Sequence, residues 1–327
     1  MSTVAAPSAR TLLASLARVR ALIPSEDRRV LLSPPRLVAR FARYALRRHA
    51  GRGEALTADD VRRRDPELVA VFDELLAFLG KHYFRLEVHG VDHVPPEGPA
   101  LLVGNHNGGL VPTDGFFTSM AIHQHRGAQR AVYALAHDFL FDDPILRRYA
   151  LRLGMLRAGH ESAMHAFDAG GLVLVYPGSD LDTYRPFRDR GKIVLGGRKG
   201  FLKLALRAGV PIIPVVSAGT HEQSIVLWRG DGLARLLHAH AWARTEVLPF
   251  ALMVPWGLAP AFVPYLPLPA QTTLAFGAPI VWPGLGAADA EDDETLSRCY
   301  GEVEGRMQAM LDELSAGRRF LLGKARA

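Results

Sequence analysis

The chain has 327 residues, of which 49% are hydrophobic, so it can bury a sizeable core as one large domain or as one domain with an appendage. Its single cysteine, Cys299, excludes an internal disulfide framework and a metal cluster held by cysteines. The net charge of +6 is unevenly spread, because residues 1–52 carry 11 arginines, no lysine and two acidic residues. That segment therefore has a local charge of +9, and the remaining residues sum to −3.

Two amphipathic patterns occupy this basic segment, and Pro24, Pro34 and Pro35 separate them. Their spacing predicts two helices, the second with a stripe of arginines opposite its apolar face. The apolar positions are Leu12, Leu13, Leu16, Val19, Leu22 and Ile23 in the first helix, and Leu37, Val38, Phe41, Tyr44 and Ala45 in the second. Neither run is long enough to span a bilayer. We expect residues 1–56 to lie peripherally on an anionic membrane surface, on its cytoplasmic face.

Other interpretations of the basic segment stay open. Its helices would equally pack over the rest of the chain and present a solvated basic face. Nucleic acid is the least favoured partner, because no binding motif and no interleaved aromatic residues accompany the arginines. Arg18 and Arg20 interrupt the first apolar run, which argues against a signal peptide.

Residues 57–327 form the main predicted domain. A helical region starts at Thr57 and closes at Gly80, and residues 82–90 alternate in hydropathy like a strand. A turn over residues 95–98 leads into a short apolar run, residues 99–103, bounded by proline and glycine. This run predicts a buried strand that delivers Asn105 and His106 to its carboxyl end, the edge where sites occur in open α/β sheets.

Seven residues separate His106 from Asp114, and their composition predicts a loop that folds back. Gly108, Gly109 and Pro112 prevent a smooth helix between the two, and a helix is expected to begin near Asp114 and to run through residues 116–123. An imidazole paired with a carboxylate suits general base catalysis. A structural or merely exposed histidine is the alternative, since the chain has 13 histidines.

Strand and helix patterns continue to alternate after this helix. Strands are predicted at residues 131–136, 172–175 and 209–216, and a further strand is predicted to end at Arg157. Helices are predicted at residues 145–153, in a stretch that ends at residue 169, and at residues 201–206. A Pro-Gly turn follows the strand at 172–175, and several cations follow it that would converge on a phosphate or phosphopantetheine group: Arg185, Arg188, Lys192, Arg198 and Lys199. These units predict an α/β fold with a central mostly parallel or mixed sheet flanked by helices.

The last third of the chain has an unusual composition. Residues 247–288 contain no charged residue and are broken by prolines, which excludes an ordinary spanning helix. We interpret this stretch as an apolar flap that contacts lipid or an acyl chain, with plain core packing as the alternative. A strand at residues 272–277 and a C-terminal helix at about 293–316 complete the prediction.

Four blocks, in this order and spacing, resemble the glycerolipid (lysophospholipid) acyltransferase superfamily. They are Gly104-Asn-His106 to Asp114, Gly154-Met-Leu-Arg157, Val173 to Ser179 and Val210 to Val215. The resemblance covers about residues 85–285. Two departures are similar to the branch related to diacylglycerol acyltransferases: seven residues instead of four follow the histidine, and the third block lacks its usual glutamate at Gly178.

The resemblance implies an O-acyltransferase of glycerolipid or phospholipid synthesis, with acyl-CoA or acyl carrier protein as donor, a lipid hydroxyl as acceptor, and no metal or resident cofactor. His106, oriented by Asp114, would be the general base, with oxyanion donors among the N–H groups near Gly178 and Ser179 or the Arg157 side chain. The substrate-binding residues expected from it are Asn105, Arg157, Tyr176, Pro177, Gly178, Ser179, Arg185 and Lys199.

Two other functions remain open at this point. A lipid hydrolase with Ser179 as nucleophile has serine, histidine and aspartate near predicted strand ends, but it lacks the Gly-x-Ser-x-Gly elbow and the order of residues of that fold. A catalytically silent lipid-binding protein would keep the fold without turnover.

Overall fold

The computed structural model describes residues 2–3, 7–31, 33, 36, 57–106, 109, 111–239, 241, 246–263 and 265–324. Its strands are β1 (Ser2–Thr3), β2 (Glu87–His89), β3 (Ala100–Gly104), β4 (Val132–Ala136), β5 (Met155–Arg157), β6 (Leu172–Val175), β7 (Ile212–Ala218), β8 (Ile225–Trp228), β9 (Phe250–Met253), β10 (Gly257–Pro260), β11 (Thr273–Phe276), β12 (Arg318–Arg319) and β13 (Gly323–Lys324). Its α-helices are α1 (Ala9–Leu22), α2 (Ser25–Leu31), α3 (Ala58–Val61), α4 (Pro66–His82), α5 (Thr113–Arg126), α6 (Phe139–Asp142), α7 (Pro144–Arg152), α8 (His160–Asp168), α9 (Ser179–Thr183), α10 (Gly200–Ala208), α11 (Asp231–Leu236) and α12 (Asp293–Ser315).

Eight of these strands form the main sheet, in the order β1-β2-β11-β7-β3-β6-β4-β5. Strand β3 lies between β6 and β7 and runs parallel to both, and β4 runs parallel to β5 and β6. Strand β11 is antiparallel to β7, and β1 is antiparallel to β2. The sheet is therefore mixed and mostly parallel, which confirms the predicted α/β fold.

Helices cover both faces of the main sheet, which is why its central strands are apolar throughout. Leu101 and Val103 of β3 pack into one apolar core, together with α8, α10 and the buried face of α12. Ala100 and Leu102 point the other way, into a second core with α4 and α5. The predicted C-terminal helix is confirmed.

Several element boundaries differ from the sequence prediction. The helical region expected from Thr57 to Gly80 is two helices, because the carboxylate of Asp65 accepts the N–H groups of Glu67 and Leu68 and starts α4 afresh at Pro66. Helix α4 continues to His82, and this shortens the strand predicted over 82–90 to three residues.

The N-terminal segment packs on the main domain through polar side chains. Ser15 of α1 donates a hydrogen bond to Glu74 of α4, and the buried carboxylate of Asp27 in α2 accepts from Tyr149 and Arg148 of α7. The predicted second amphipathic helix, residues 37–45, and the predicted domain boundary at residue 56 lie outside the described residues. Among the residues that are described, none of the helices has the length and apolar character to cross a membrane.

Two strands of the uncharged stretch, β9 and β10, form a small antiparallel sheet with β8, which precedes the stretch, and this sheet was not predicted from the sequence. One face is buried, with Val226, Ala251 and Met253 packed against Tyr184 and Tyr265. The other face leaves large apolar side chains exposed, among them Leu227, Leu252 and Leu258. Residues 250–260 of the expected apolar flap thus belong to a sheet with one covered and one uncovered face, whereas residues 273–276 pack in the core as β11 of the main sheet.

Candidate active site

The carboxyl end of β3 brings His106 and Asp114 together. The imidazole Nδ1 of His106 lies 2.9 Å from Oδ2 of Asp114. A carboxylate only accepts hydrogen bonds, so Nδ1 carries the proton in the neutral ring and Nε2 keeps its lone pair. The His106 side chain is 20% exposed, whereas that of Asp114 is 1% exposed. This arrangement leaves one nitrogen of the ring as a base that a substrate can reach.

Asp114 is fixed by its place in the first turn of α5. Its Oδ1 accepts the N–H of Gly115, and its carbonyl oxygen accepts the hydroxyl of Thr118. The positive end of the helix dipole stabilises a carboxylate at this position. The helix starts at Thr113, next to Asp114 as expected from the sequence, and this places the carboxylate on a rigid element.

The ring of Tyr176 stacks on the imidazole of His106, with centroids 4.4 Å apart and an interplanar angle of 25°. Burial raises the pKa of Tyr176 well above its usual value, and the nearby Asp114 carboxylate adds to the shift, so the phenol stays neutral. Gly104 makes room for the ring, because a Cβ at that position would lie 2.4 Å from a ring carbon of Tyr176. Tyr176 is therefore a packing partner of the candidate base.

The Pro177-Gly178 turn is held by a cation. The guanidinium Nη1 of Arg198 donates to the carbonyl oxygens of Pro177 and Gly178 at 3.0 and 3.1 Å. The N–H of Ser179, one of the expected oxyanion donors, is bonded to the carbonyl of Tyr176. Arg198 thus positions the third block.

A second carboxylate, that of Asp182, contacts the main chain of His106. Oδ2 of Asp182 accepts the main-chain N–H of His106, and Oδ1 accepts from Nη1 of Arg185. Both Asp182 and Arg185 are fully buried. Burial lowers the pKa of Arg185 to about 10, and the nearby Asp189 carboxylate partly offsets this, so the guanidinium remains charged at neutral pH. Arg185 therefore contacts the site indirectly, as the ion-pair partner of Asp182.

Asn105 also joins main-chain groups in this structure. Its amide donates to the carbonyl oxygen of Ser217 at 3.1 Å, and its carbonyl oxygen accepts the Ser217 N–H at 2.8 Å. Both residues are buried. These two bonds tie the end of β3 to the end of β7.

Two expected binding residues are not brought to His106. Arg157 contacts Asp142 and Asp138 at the end of β5, the edge strand, three strands from β3 or about 14 Å at ordinary strand spacing. Lys199 contacts Asp293 and Ser297 at the start of α12. The predicted convergence of cations is therefore replaced by separate ion pairs.

The small sheet packs on Val111, one of the described residues between His106 and Asp114. Leu181 packs with Val111 against the covered face of the small sheet. Gly109 has a φ of +58°, and a Cβ there would lie 2.6 Å from the hydroxyl of Tyr265. Burial raises the pKa of Tyr265 to about 12, so its hydroxyl stays protonated over the loop. Within the described part of the chain, no group of three or more His, Cys, Asp or Glu side chains is arranged to hold a metal ion.

Two residues that hold the site, Asp182 and Arg198, were not among the substrate-binding residues expected from the sequence. Asp182 follows the Pro-Gly turn by four residues and carried no signal of its own, and Arg198 was one cation among five. Both contacts depend on how the chain after β6 returns to the sheet. The spacing of residues alone did not reveal them.

A histidine–aspartate pair at the carboxyl end of a central strand is the arrangement of a general base, which suits both acyl transfer and hydrolysis. Comparison with known families distinguishes between these activities, because residues 85–218 match the family described as Acyltransferase. An uncharacterized protein of Mycobacterium tuberculosis is 34% identical over 250 residues, which cover 76% of this chain and 67% of that protein. The chain therefore belongs to the acyltransferase family.

Similarity extends to two further proteins. The bovine protein described as a DGAT1/2-independent enzyme synthesizing storage lipids is 33% identical over 139 residues, which cover 42% of this chain and 39% of the bovine protein. The crystal structure of the 1-acyl-sn-glycerophosphate acyltransferase PlsC from Thermotoga maritima covers 77% of this chain and 84% of its own, at 19% identity and a TM-score of 0.42.

The Asn105 contacts predict a loss of stability on substitution. Asn105→Ala removes both hydrogen bonds that Asn105 makes with the buried main chain of Ser217, so we expect the free energy of unfolding to fall by about 1–3 kcal/mol. Urea denaturation of both proteins measures this. An unchanged stability together with a raised KM for substrate would instead restore the substrate-binding role for Asn105.

The stacking of Tyr176 on His106 predicts that two substitutions of Tyr176 differ in their effect on kcat. Tyr176→Phe keeps the ring and should leave kcat close to that of the wild type. Tyr176→Ala removes the surface against which the imidazole rests, and kcat should fall by about 10–100-fold. Equal activity of the wild type and Tyr176→Ala, measured by steady-state kinetics, would contradict this role.

Proposed function

We propose that this acyltransferase moves a fatty acyl group from acyl-CoA or acyl carrier protein to a hydroxyl of a glycerolipid or related lipid alcohol. The observation that carries the proposal is the 2.9 Å contact between His106 Nδ1 and the buried Asp114 carboxylate. This contact fixes the ring so that Nε2 is the available base.

The proposed reaction proceeds in one addition and one elimination. Nε2 of His106 takes the proton of the acceptor hydroxyl as its oxygen attacks the thioester carbonyl, and Asp114 stabilises the resulting imidazolium. The tetrahedral oxyanion then collapses and breaks the carbon–sulfur bond. The thiolate leaves with the proton from His106, so no acyl-enzyme is formed. Family membership favours this transfer over hydrolysis with Ser179 as nucleophile.

The pairing of the cations favours a neutral acceptor over a phosphorylated one. Arg185 is held by Asp182, Arg198 by the Pro177-Gly178 turn, and Lys199 by Asp293. A phosphate group would have to compete with these contacts for its charge-assisted hydrogen bonds. The partial similarity to an enzyme described as synthesizing storage lipids supports the same choice.

His106 is expected to be essential for turnover. His106→Ala should lower kcat by about 10²–10⁴-fold, because general base catalysis contributes a factor of that size. The assay follows free thiol released from acyl-CoA with diacylglycerol, monoacylglycerol, a long-chain alcohol or lysophosphatidic acid as acceptor, and it is repeated with acyl carrier protein as donor.

A matched control is available on the surface of the same helix that holds Asp114. His125 also contacts a carboxylate, that of Asp92 at 3.0 Å, and His125→Ala should keep the wild-type rate. Thiol release without any acceptor would favour hydrolysis. A rate for His106→Ala equal to that of the wild type would show that His106 is not the general base. No release of thiol with any pair of donor and acceptor would favour a catalytically silent lipid-binding protein.

We further propose that the protein works peripherally at the cytoplasmic face of a membrane. The covered face of the small sheet packs on Val111, and its outer face and the neighbouring turn expose apolar side chains: Leu227, Trp228, Leu252, Val254, Trp256, Leu258 and Leu266. An apolar patch of this kind gains free energy on entering the boundary of a bilayer. The exposed Arg10 and Arg20 of α1 would add attraction to anionic lipids.

Substitutions in the patch should weaken membrane binding at every salt concentration. Trp256→Ser combined with Leu258→Ser is expected to lower vesicle affinity at least about tenfold, because two apolar side chains no longer leave water. Val281→Ser is the matched control, since Val281 is 62% exposed and Leu258 is 61% exposed, but Val281 lies by the opposite end of β7.

The arginines of α1 should behave differently. Arg10→Gln with Arg20→Gln should weaken binding to vesicles containing an anionic lipid at low salt and have little effect at high salt, because salt screens exposed charges. Cosedimentation with neutral and anionic vesicles measures both effects. Equal binding of the Trp256 and Leu258 variant and the wild type would remove the patch from the membrane surface.

A further inference from the structure

The buried ion pair of Asp182 and Arg185 lies outside the histidine–aspartate pair and has no role in the reaction described above. Asp182 is 0% exposed and Arg185 is 1% exposed. Taking two charges out of water costs free energy unless their remaining hydrogen-bonding groups are satisfied. The pair therefore needs an explanation in terms of what its atoms contact.

Each oxygen of Asp182 has a different partner. Oδ1 accepts from Nη1 of Arg185, whereas Oδ2 accepts the main-chain N–H of His106, 76 residues away in the sequence. Arg185 is held in turn by main-chain oxygens, with Nε donating to Asp189 at 3.1 Å and Nη2 donating to Arg190 at 3.3 Å. The carboxylate thus connects the end of β3 to the segment that follows the Pro-Gly turn.

The missing side chain at Gly178 makes room for this carboxylate. A Cβ at Gly178 would lie 2.4 Å from the Cβ of Asp182 and also collide with the carbonyl oxygen of Val194. The short helix α9 turns the chain so that Asp182 fills this space. A side chain at residue 178 would therefore collide both with Asp182 and with the main chain of Val194.

His221 lies beside the ion pair and contacts the main chain of Arg185. His221 donates through Nε2 to the carbonyl oxygen of Arg185 at 2.8 Å. Burial, and then the charge of Arg185, lower the pKa of His221 to about 3, so its ring is neutral at neutral pH. His221 therefore adds no second positive charge next to Arg185, and the carboxylate of Asp182 is matched by one cation.

We propose that Asp182, held by Arg185, is a positioning residue that fixes the main chain of His106 and thereby aims Nε2 at the acceptor hydroxyl. This inference rests on the proposed transferase function for its kinetic consequence, but the contact itself does not depend on that function. Asp182 fixes the backbone of His106 and Asp114 fixes its ring, so the base is held at two points. A base held in this way loses little orientation when the acceptor arrives.

The kinetic test separates positioning from stability. Asp182→Asn should lower kcat by about 10–100-fold with KM within about threefold of the wild type, because the aim of the base changes and the binding surface does not. Asp180→Asn is the control: this residue lies on the same short helix and contacts Arg198 and the N–H of Glu246, so it should keep the wild-type kcat.

A double variant covers the case in which Asp182→Asn folds poorly because Arg185 is left unpaired. Asp182→Leu with Arg185→Met removes both charges, and replacing a whole buried pair by apolar residues commonly preserves stability. We expect this variant to recover the thermal stability of the wild type but not its kcat. Recovery of both would show that the pair serves folding alone and would overturn the proposal.

The contact is measured independently of activity by NMR. In protein labelled with ¹⁵N-histidine, the amide proton of His106 should resonate downfield because it donates to a carboxylate, and it should move upfield in Asp182→Asn and stay in place in Asp180→Asn. His106→Gln assigns the signal. An unmoved His106 amide in Asp182→Asn would overturn the contact, whereas a moved amide with wild-type kcat would overturn the catalytic consequence. A wild-type protein without transferase activity would refute the proposed function, and with it the catalytic part of this inference, while the amide shift still decides the contact.

Discussion

The pairing of β3 between β6 and β7 is the constraint on which the site depends. Its register places Val103 beside Val175 and Gly104 beside Val215, so the residues that follow each strand meet at one edge. His106 therefore reaches Tyr176, which follows β6, and Asn105 reaches Ser217 near the end of β7. A slip of one residue in this register would turn each of these side chains to the opposite face of the sheet.

Two of the histidine–aspartate pairs in the described part of the molecule have surroundings that give them different roles. Asp114 faces the imidazole of His106 and leaves one nitrogen available. A second histidine–aspartate pair, His123 with Asp73, has an arginine, Arg64, at 3.1 Å from the other ring nitrogen. That nitrogen accepts from Arg64, so the pair is closed to substrate. The same two residue types thus give a base in one place and a structural contact in another.

The small sheet connects the candidate site with an exposed apolar surface that, in the proposed function, meets lipid. Its covered face packs on the loop of His106 and on the segment after the Pro-Gly turn, so it orders the two parts of the site. Its uncovered face carries the exposed apolar side chains. In the function proposed above, this uncovered face is the surface that meets the bilayer.

The sequence by itself determined the class of fold, the buried strands and the partnership of His106 with Asp114. These features are local, since apolar periodicity reports burial and a loop rich in glycine and proline brings two residues together across seven positions. Element boundaries were less determined: Asp65 divides one expected helix in two. The tertiary structure alone decided the partners of the cations, because Arg185, Arg198 and Lys199 each pair with whatever group the folded chain brings beside them. It also decided the small sheet and the contact of Asp182 with the His106 main chain, because these join segments far apart in sequence, whose approach depends on strand order and not on residue spacing.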